Sequence, residues 1–211
     1  MEIIFIDSCD STQKWLLEAL KSGDKSPPCM LVAKRQSAGV GSRGNLWQSD
    51  EGNLFLSFAL GVDALPDDLE LCSASIYFAF LMAENLRQKG SKVWLKWPND
   101  FYVGEKKIGG VITTKSGENL VCGIGINLCF APEYAGILDI NIDKIELIKN
   151  YEKYLENLPK WNEILSKLLL EFQKSKKFSI HIENKLVSME KAIFQNDGSV
   201  IINGKKVYSQ R

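Results

Sequence analysis

The chain passes between short β-rich runs and longer stretches with helical spacing. Residues 2–6 are almost wholly apolar and β-branched, and they predict a strand. Asp10, Ser11 and Thr12 stand ahead of Trp15, Leu16, Leu17, Ala19 and Leu20. Short polar side chains before a periodic apolar run supply a helix cap, and Gly23 is placed to end that helix. Residues 29–35 and 53–60 read as strands on either side of a glycine-rich polar segment, Gln36 to Gly52. A long apolar helical pattern covers 68–89 and stops at Gly90. Strands at 92–97, 100–103, 107–114 and 119–126 then follow closely, broken by Pro98-Asn99, Gly104-Glu105 and Ser116-Gly117. Turns this short favour antiparallel pairing, and strand-rich stretches interrupted by a few helices predict an α+β domain.

Helical spacing returns from 144 to 177. Trp161, Ile164, Leu165, Leu168, Leu169 and Phe172 fall on one face, and Pro159 either starts the last helix or splits it from the one before. After Phe178 the turn signals Asn196-Asp197-Gly198 and Asn203-Gly204 separate short β-rich runs, which predict a small meander. The expected division is a main domain at 1–178 and a small C-terminal β module at 179–211.

Composition narrows the function classes. Of 211 residues, 45% are hydrophobic and 25% charged, as in an ordinary globular protein. The formal net charge of +0 argues against holding long nucleic acid by bulk electrostatics. Cys9, Cys29, Cys72, Cys122 and Cys129 include no C-x-x-C pair, and His181 is the one histidine. A zinc site and a disulfide framework are therefore not expected. The opening MEIIFIDSCD lacks a basic leader region, and apolar runs such as Ile76 to Ala83 are too short to span a bilayer. The expected location is the cytoplasm, with no membrane partner.

Five segments carry candidate chemistry. Gly39, Gly41 and Gly44 let a backbone approach a ligand, and Arg43 adds a permanent cation with a fork of donors. By itself such a loop is equally the mark of a tight turn. No helix pattern opens there and no Gly-Lys-Ser/Thr follows, so it is neither a dinucleotide fingerprint nor a Walker loop. Lys96-Trp97-Pro98-Asn99-Asp100 puts a lysine at the end of an apolar strand, beside a turn that Pro98 makes rigid. The alternative is a surface lysine beside an ordinary turn. Lys107-Ile108-Gly109-Gly110-Val111 and Gly123-Ile124-Gly125-Ile126-Asn127 place glycines inside β-runs, as close approach of a ligand or a crowded sheet would require. Asp10-Ser11-Thr12-Gln13 is a helix cap whose side chains could also face a ligand.

Taken in chain order, with Asp10-Ser11-Thr12-Gln13 first, the five segments resemble the catalytic domain of biotin–protein ligases over about residues 3–130, with Lys-Trp-Pro-Asn-Asp the most diagnostic. The resemblance implies a seven-stranded, mixed and mainly antiparallel sheet flanked by helices, related to class II aminoacyl-tRNA synthetases, with a reduced SH3-like module at the C-terminus. It implies activation of biotin by ATP, with Mg²⁺, to biotinyl-5′-AMP, then transfer to a lysine of a biotin carboxyl carrier domain. Lys96 and Arg43 would be catalytic. Ser11, Thr12, Gln13, Gln36, Gly39, Val40, Gly41, Ser42, Lys96, Gly109 and Gly110 would bind biotin. Arg43, Trp47, Asn99, Lys107 and Asn127 would bind ATP or adenylate, and Asp100 could help hold Mg²⁺.

The family's loop reads Gly-Arg-Gly-Arg-Arg-Gly, whereas Val40 and Ser42 replace two of its arginines here. Weaker retention of the adenylate is the expectation, unless Lys34 and Arg35 compensate. Some relatives carry an N-terminal DNA-binding domain. The motifs here begin at residue 10, so no DNA binding is expected. A homodimer through paired sheet edges is allowed by the resemblance. The competing readings are a lipoate–protein ligase or octanoyl transferase of the same fold, and a non-catalytic biotin or nucleotide sensor.

Overall fold

The computed structural model describes residues 1–41, 45–183 and 185–208. At its centre seven strands lie side by side. Their order is β1 (Glu2–Cys9), β2 (Cys29–Gln36), β3 (Leu54–Gly61), β7 (Asn119–Ile126), β6 (Lys106–Ser116), β5 (Asp100–Val103) and β4 (Trp94–Lys96). Only β1 and β2 run parallel; every other neighbouring pair is antiparallel. The mixed, mainly antiparallel sheet expected from the sequence is therefore present. The parallel pair is joined through α1 (Thr12–Ser22), because parallel neighbours need a crossover. The Ser11 side chain accepts from the Lys14 N–H at the start of α1, and Gly23, with φ 83°, ends it in the left-handed conformation.

The sheet has two different faces. One packs on α2 (Ala74–Gln88) and α3 (Lys144–Glu156). There Phe58 meets Phe78 at 5.0 Å and Tyr151 at 5.9 Å between ring centroids, both edge to face. Tyr77 through Ala83 are all buried, so α2 is covered on every side and carries no polar stripe at its centre. It begins at Ala74, after a turn of 3₁₀ helix at Leu71–Ser73, later than the apolar pattern suggests. The other face packs on α1 through Leu16, Cys29, Ala59 and Val121.

Pro159 lies in the break between α3 and α4 (Trp161–Ser175). Trp161, Ile164, Leu168 and Phe172 are buried, but Leu169 is 37% exposed. The apolar stripe is narrower than its spacing predicts. Beyond it, β8 (Ser179–Ile182) and β9 (Lys185–Ser188) form a hairpin, and β10 (Ile193–Phe194), β11 (Val200–Ile202) and β12 (Lys205–Val207) form a three-stranded sheet. Asn203 and Gly204, with φ 51° and 75°, make the tight turn between β11 and β12. Ile180, Met189, Ala192, Val200 and Ile202 join the same buried cluster as the main sheet. Among the described residues no helix is long and apolar enough to cross a membrane.

Candidate functional site

The α1 face of the sheet is hollowed by missing side chains. Gly123 pairs with Ser57 and Ile112, and Gly125 pairs with Phe55 and Gly110. A Cβ on Gly123 would lie 2.6 Å from Gln13 Oε1, and one on Gly125 would lie 2.8 Å from the Trp47 indole. Glycine in mid-strand is weakening by itself. Here it makes room for Gln13 and Trp47.

Five polar side chains converge at one end of the hollow. Ser11, Thr12 and Gln13 come from the start of α1, Gln36 from the end of β2, and Ser57 from the middle of β3. Gln36 Oε1 accepts from the Thr12 N–H at 2.8 Å and from Thr12 Oγ1 at 3.1 Å. Ser57 Oγ lies 2.9 Å from Thr12 Oγ1 and 3.3 Å from Gln13 Oε1. Gln13 Nε2 donates to the Val121 carbonyl at 3.1 Å. These groups line a recess walled on its far side by Asn99, Asp100, Lys107 and Gly110.

A second recess adjoins it and takes in Asn127, Pro132 and Tyr134. Gly41, Trp47 and Lys107 line both. The Lys107 ammonium lies 2.6 Å from Asp100 Oδ1 and 5.9 Å from the Trp47 ring centroid. Trp47 Nε1 is buried with no hydrogen-bond partner among the described residues. The segment carrying Trp47 folds back on itself: Gly41 N–H donates to Asn45 O at 2.7 Å, and Trp47 N–H to Gly39 O at 2.8 Å.

The structure brings most of the predicted residues together. Ser11, Thr12, Gln13, Gln36, Val40, Asn99, Asp100 and Gly110 line the first recess, Asn127 the second, and Gly41, Trp47 and Lys107 both. Lys96 stands apart from both recesses. Its ammonium sits 5.4 Å from the ring centroids of Tyr102 and of Phe178, and it lines neither recess. Trp94, Tyr102 and Phe178 form an aromatic cluster at the β4 edge, and their electron-rich faces draw the cation there. Gly39 and Gly109 also line neither recess. A Cβ on Gly39 would meet Ser49 Oγ at 2.5 Å, and one on Gly109 would meet the Gly125 carbonyl at 2.5 Å. Both are needed for packing. Ser42 and Arg43 lie outside the described residues.

Sequence reasoning passed over Ser57, Gly123 and Gly125 as individual site residues. Ser57 had a signal: it is the single polar residue in the run Leu54–Leu60. Tyr134, 86% exposed at the rim of the second recess, had none.

The described residues thus form two adjoining recesses with Lys107 in their common wall. The model of the Biotin/lipoate A/B protein ligase family matches residues 5–129, and the chain belongs to that family. It is 39% identical over 129 residues to the bifunctional ligase/repressor BirA of Escherichia coli K12, a match covering 56% of this chain and 38% of that protein. It is 30% identical over 131 residues to the biotin–[acetyl-CoA-carboxylase] ligase of Paracoccus denitrificans, covering 57% of this chain and 53% of that one. The matched part thus spans well under two thirds of the length of either curated relative. Among solved structures, the biotin acetyl coenzyme A carboxylase synthetase of Helicobacter pylori with bound biotinylated ATP is 41% identical. It superposes with a TM-score of 0.93 over 98% of this chain and 99% of its own. The biotin protein ligase of Aquifex aeolicus, solved with biotin and ATP, shares the fold at 24% identity and a TM-score of 0.75, over 98% and 94% of the two chains.

Proposed function

We propose that this protein activates biotin with ATP and transfers it to a lysine of a biotin carboxyl carrier domain. The observation that best supports this is the shared wall, where Lys107 lines both a recess that ends in five polar side chains and the second recess adjoining it. In the proposed first step a biotin carboxylate oxygen attacks the α-phosphorus of ATP. The bond to the β-phosphate bridging oxygen breaks, pyrophosphate leaves, and biotinyl-5′-AMP remains. Both reactants are anions, so a fixed cation must offset their repulsion. Lys107 takes that role in place of Lys96, and its pairing with Asp100 holds the ammonium at the junction. In the second step a neutral lysine amine of the acceptor attacks the acyl carbon, and AMP departs with the bonding electrons.

The ureido ring of biotin offers two N–H donors and a carbonyl acceptor, which suit the polar end formed by Ser11, Thr12, Gln13, Gln36 and Ser57. A plain alkyl acid would strip water from these groups without replacing it, at a cost of about 1–3 kcal/mol for each group left unpaired. That favours biotin over lipoate or octanoate. Adenylate would occupy the second recess against Trp47 and Asn127, with Arg43 assigned by its charge alone. Mg²⁺ would enter on ATP and assist charge neutralisation. Asp100 faces the site, but no group of three His, Cys, Asp or Glu able to hold a metal occurs among the described residues. The ion would thus rest mainly on phosphate oxygens. The reading includes no DNA or membrane partner and puts the reaction in the cytoplasm. A homodimer would need a free sheet edge, and β1 is paired within the sheet on one side only.

The test is pyrophosphate exchange into ATP as a function of added acid. Stimulation by biotin and not by lipoate or octanoate is the expected result. Stimulation by lipoate would move the chain to the other branch of its family. Biotin binding with no exchange would make it a sensor.

A further inference from the structure

Trp97 is 1% exposed, although it stands in a turn that serves the site. Its backbone N–H donates to Ser175 Oγ at 2.9 Å, and its indole N–H donates to the Gly198 carbonyl at 2.9 Å. Just beyond it Asn99 and Asp100 wall the first recess, and Asp100 holds Lys107. The Asn99 carbonyl accepts from the Val111 N–H at 3.0 Å, and its side-chain amide donates to the Val111 carbonyl. The segment 97–100 is therefore fixed at one end to α4 and the C-terminal strands, and at the other to β6.

The turn that accepts Trp97 is built from both sides. Three consecutive carbonyls receive three side-chain donors from the main body: Asn196 from Trp161 Nε1 at 2.6 Å, Asp197 from the Ser73 hydroxyl, and Gly198 from Trp97. Gly198 has φ 82°, and a Cβ there would lie 2.6 Å from Ser73 Oγ and 3.0 Å from the Trp161 ring. Close seating and a left-handed backbone both require glycine. From within, Asp197 Oδ1 accepts from Ser199 N–H at 3.1 Å and Ser199 Oγ at 2.6 Å, while Oδ2 lies 2.6 Å from Lys206 Nζ.

We infer that the Asn196–Gly198 turn is a positioning element for the site: by holding Trp97 it sets the Asn99–Asp100 wall and, through Asp100, the Lys107 ammonium. Trp97 and Asp197 line neither recess, so they are positioning residues. The geometry is independent of what the site binds; only the effect on turnover rests on the ligase reading.

The full chain is compared with Trp97→Phe, which removes the indole donor and keeps a ring, and with Asp197→Ala and Asp197→Asn, the latter retaining the Oδ1 acceptor. Two readouts are taken on folded protein. One is the amide resonances of the Asn99 side chain and the Gly110 backbone; the other is kcat for biotin-dependent pyrophosphate exchange beside the biotin Kd. Trp97→Phe and Asp197→Ala are expected to shift both resonances and to lower kcat about tenfold or more, since small misplacements of reacting groups are costly. The biotin Kd should stay within about twofold, because the polar end is held by α1, β2 and β3. Asp197→Asn should behave like the parent chain. Unmoved resonances, unchanged kcat, or Asp197→Asn as impaired as Asp197→Ala would overturn the inference. If Trp97→Phe does not fold, the Asp197 pair carries the test. If the parent chain shows no biotin-dependent exchange, the ligase reading fails by itself, and the resonances alone decide the positioning role.

Discussion

Lys96 and Lys107 sit on strands two apart in the sheet, and their surroundings separate them. Lys96 is drawn to the faces of Tyr102 and Phe178; Lys107 is paired with a carboxylate at the junction of two recesses. The proposed reaction needs its cation where the two recesses meet, and of the two lysines only Lys107 lines them. The same scale explains the mid-strand glycines. Gly123 leaves the space that Gln13 Oε1 fills, so Gly123→Ala must displace the floor of the polar end. Overpacking of this kind costs about 1–3 kcal/mol, which corresponds to about 5- to 150-fold weaker biotin binding if the strain falls on the bound geometry. Calorimetric titration with biotin checks this, and an unchanged affinity would count against Gln13 as part of the pocket.

At the scale of elements, α4 begins without a cap of its own. Lys160 provides no side-chain hydrogen bond; Asp68, far off in sequence, accepts from the N–H groups of Trp161 at 2.8 Å and Asn162 at 3.0 Å. Burial works against the charge on Asp68, but the N–H groups of Asn162 and Trp161 outweigh it and hold the carboxyl below its ordinary value. A lowered acid stabilises the fold above its ordinary pKa and loses that contribution as pH falls through the folded-state value. Asp68→Ala should therefore cost about 1 kcal/mol at neutral pH, as loss of a cap does, and the deficit should shrink on acidification below about pH 4. Chemical denaturation of both proteins across that range tests it; a deficit that persists unchanged in acid would refute the capping role. The α1 cap was legible because Ser11 and its helix are adjacent in sequence. The α4 cap was not, because its partner comes from another part of the chain. The direction of Lys96 was equally hidden. The order of motifs puts both lysines near the site, but the rings beside Lys96, Tyr102 and Phe178, come from β5 and from beyond α4, and only the assembled chain brings them together.

Across the whole molecule, the strand pattern foretold the sheet because each run and turn is local, whereas the glycine-bearing strands left ligand approach and crowded packing equally open until the sheet was assembled. The joining of the C-terminal strands to the site was not visible. Asn196-Asp197-Gly198 reads as a turn in any context, and only the folded chain brings Trp97, Trp161 and Ser73 to its carbonyls. The small module shares the main core and reaches the recess wall through Trp97. We propose that Lys107, the one cation lining both recesses among the described residues, drives the meeting of acid and nucleotide. The most direct test is biotin-dependent pyrophosphate exchange by full-length Lys107→Met beside Lys96→Met, each verified as folded by thermal melting. The account predicts that Lys107→Met loses about 10²-fold or more of the exchange rate, as removal of a fixed stabilising group does, while Lys96→Met keeps most of it. Exchange retained in Lys107→Met and lost in Lys96→Met would contradict it.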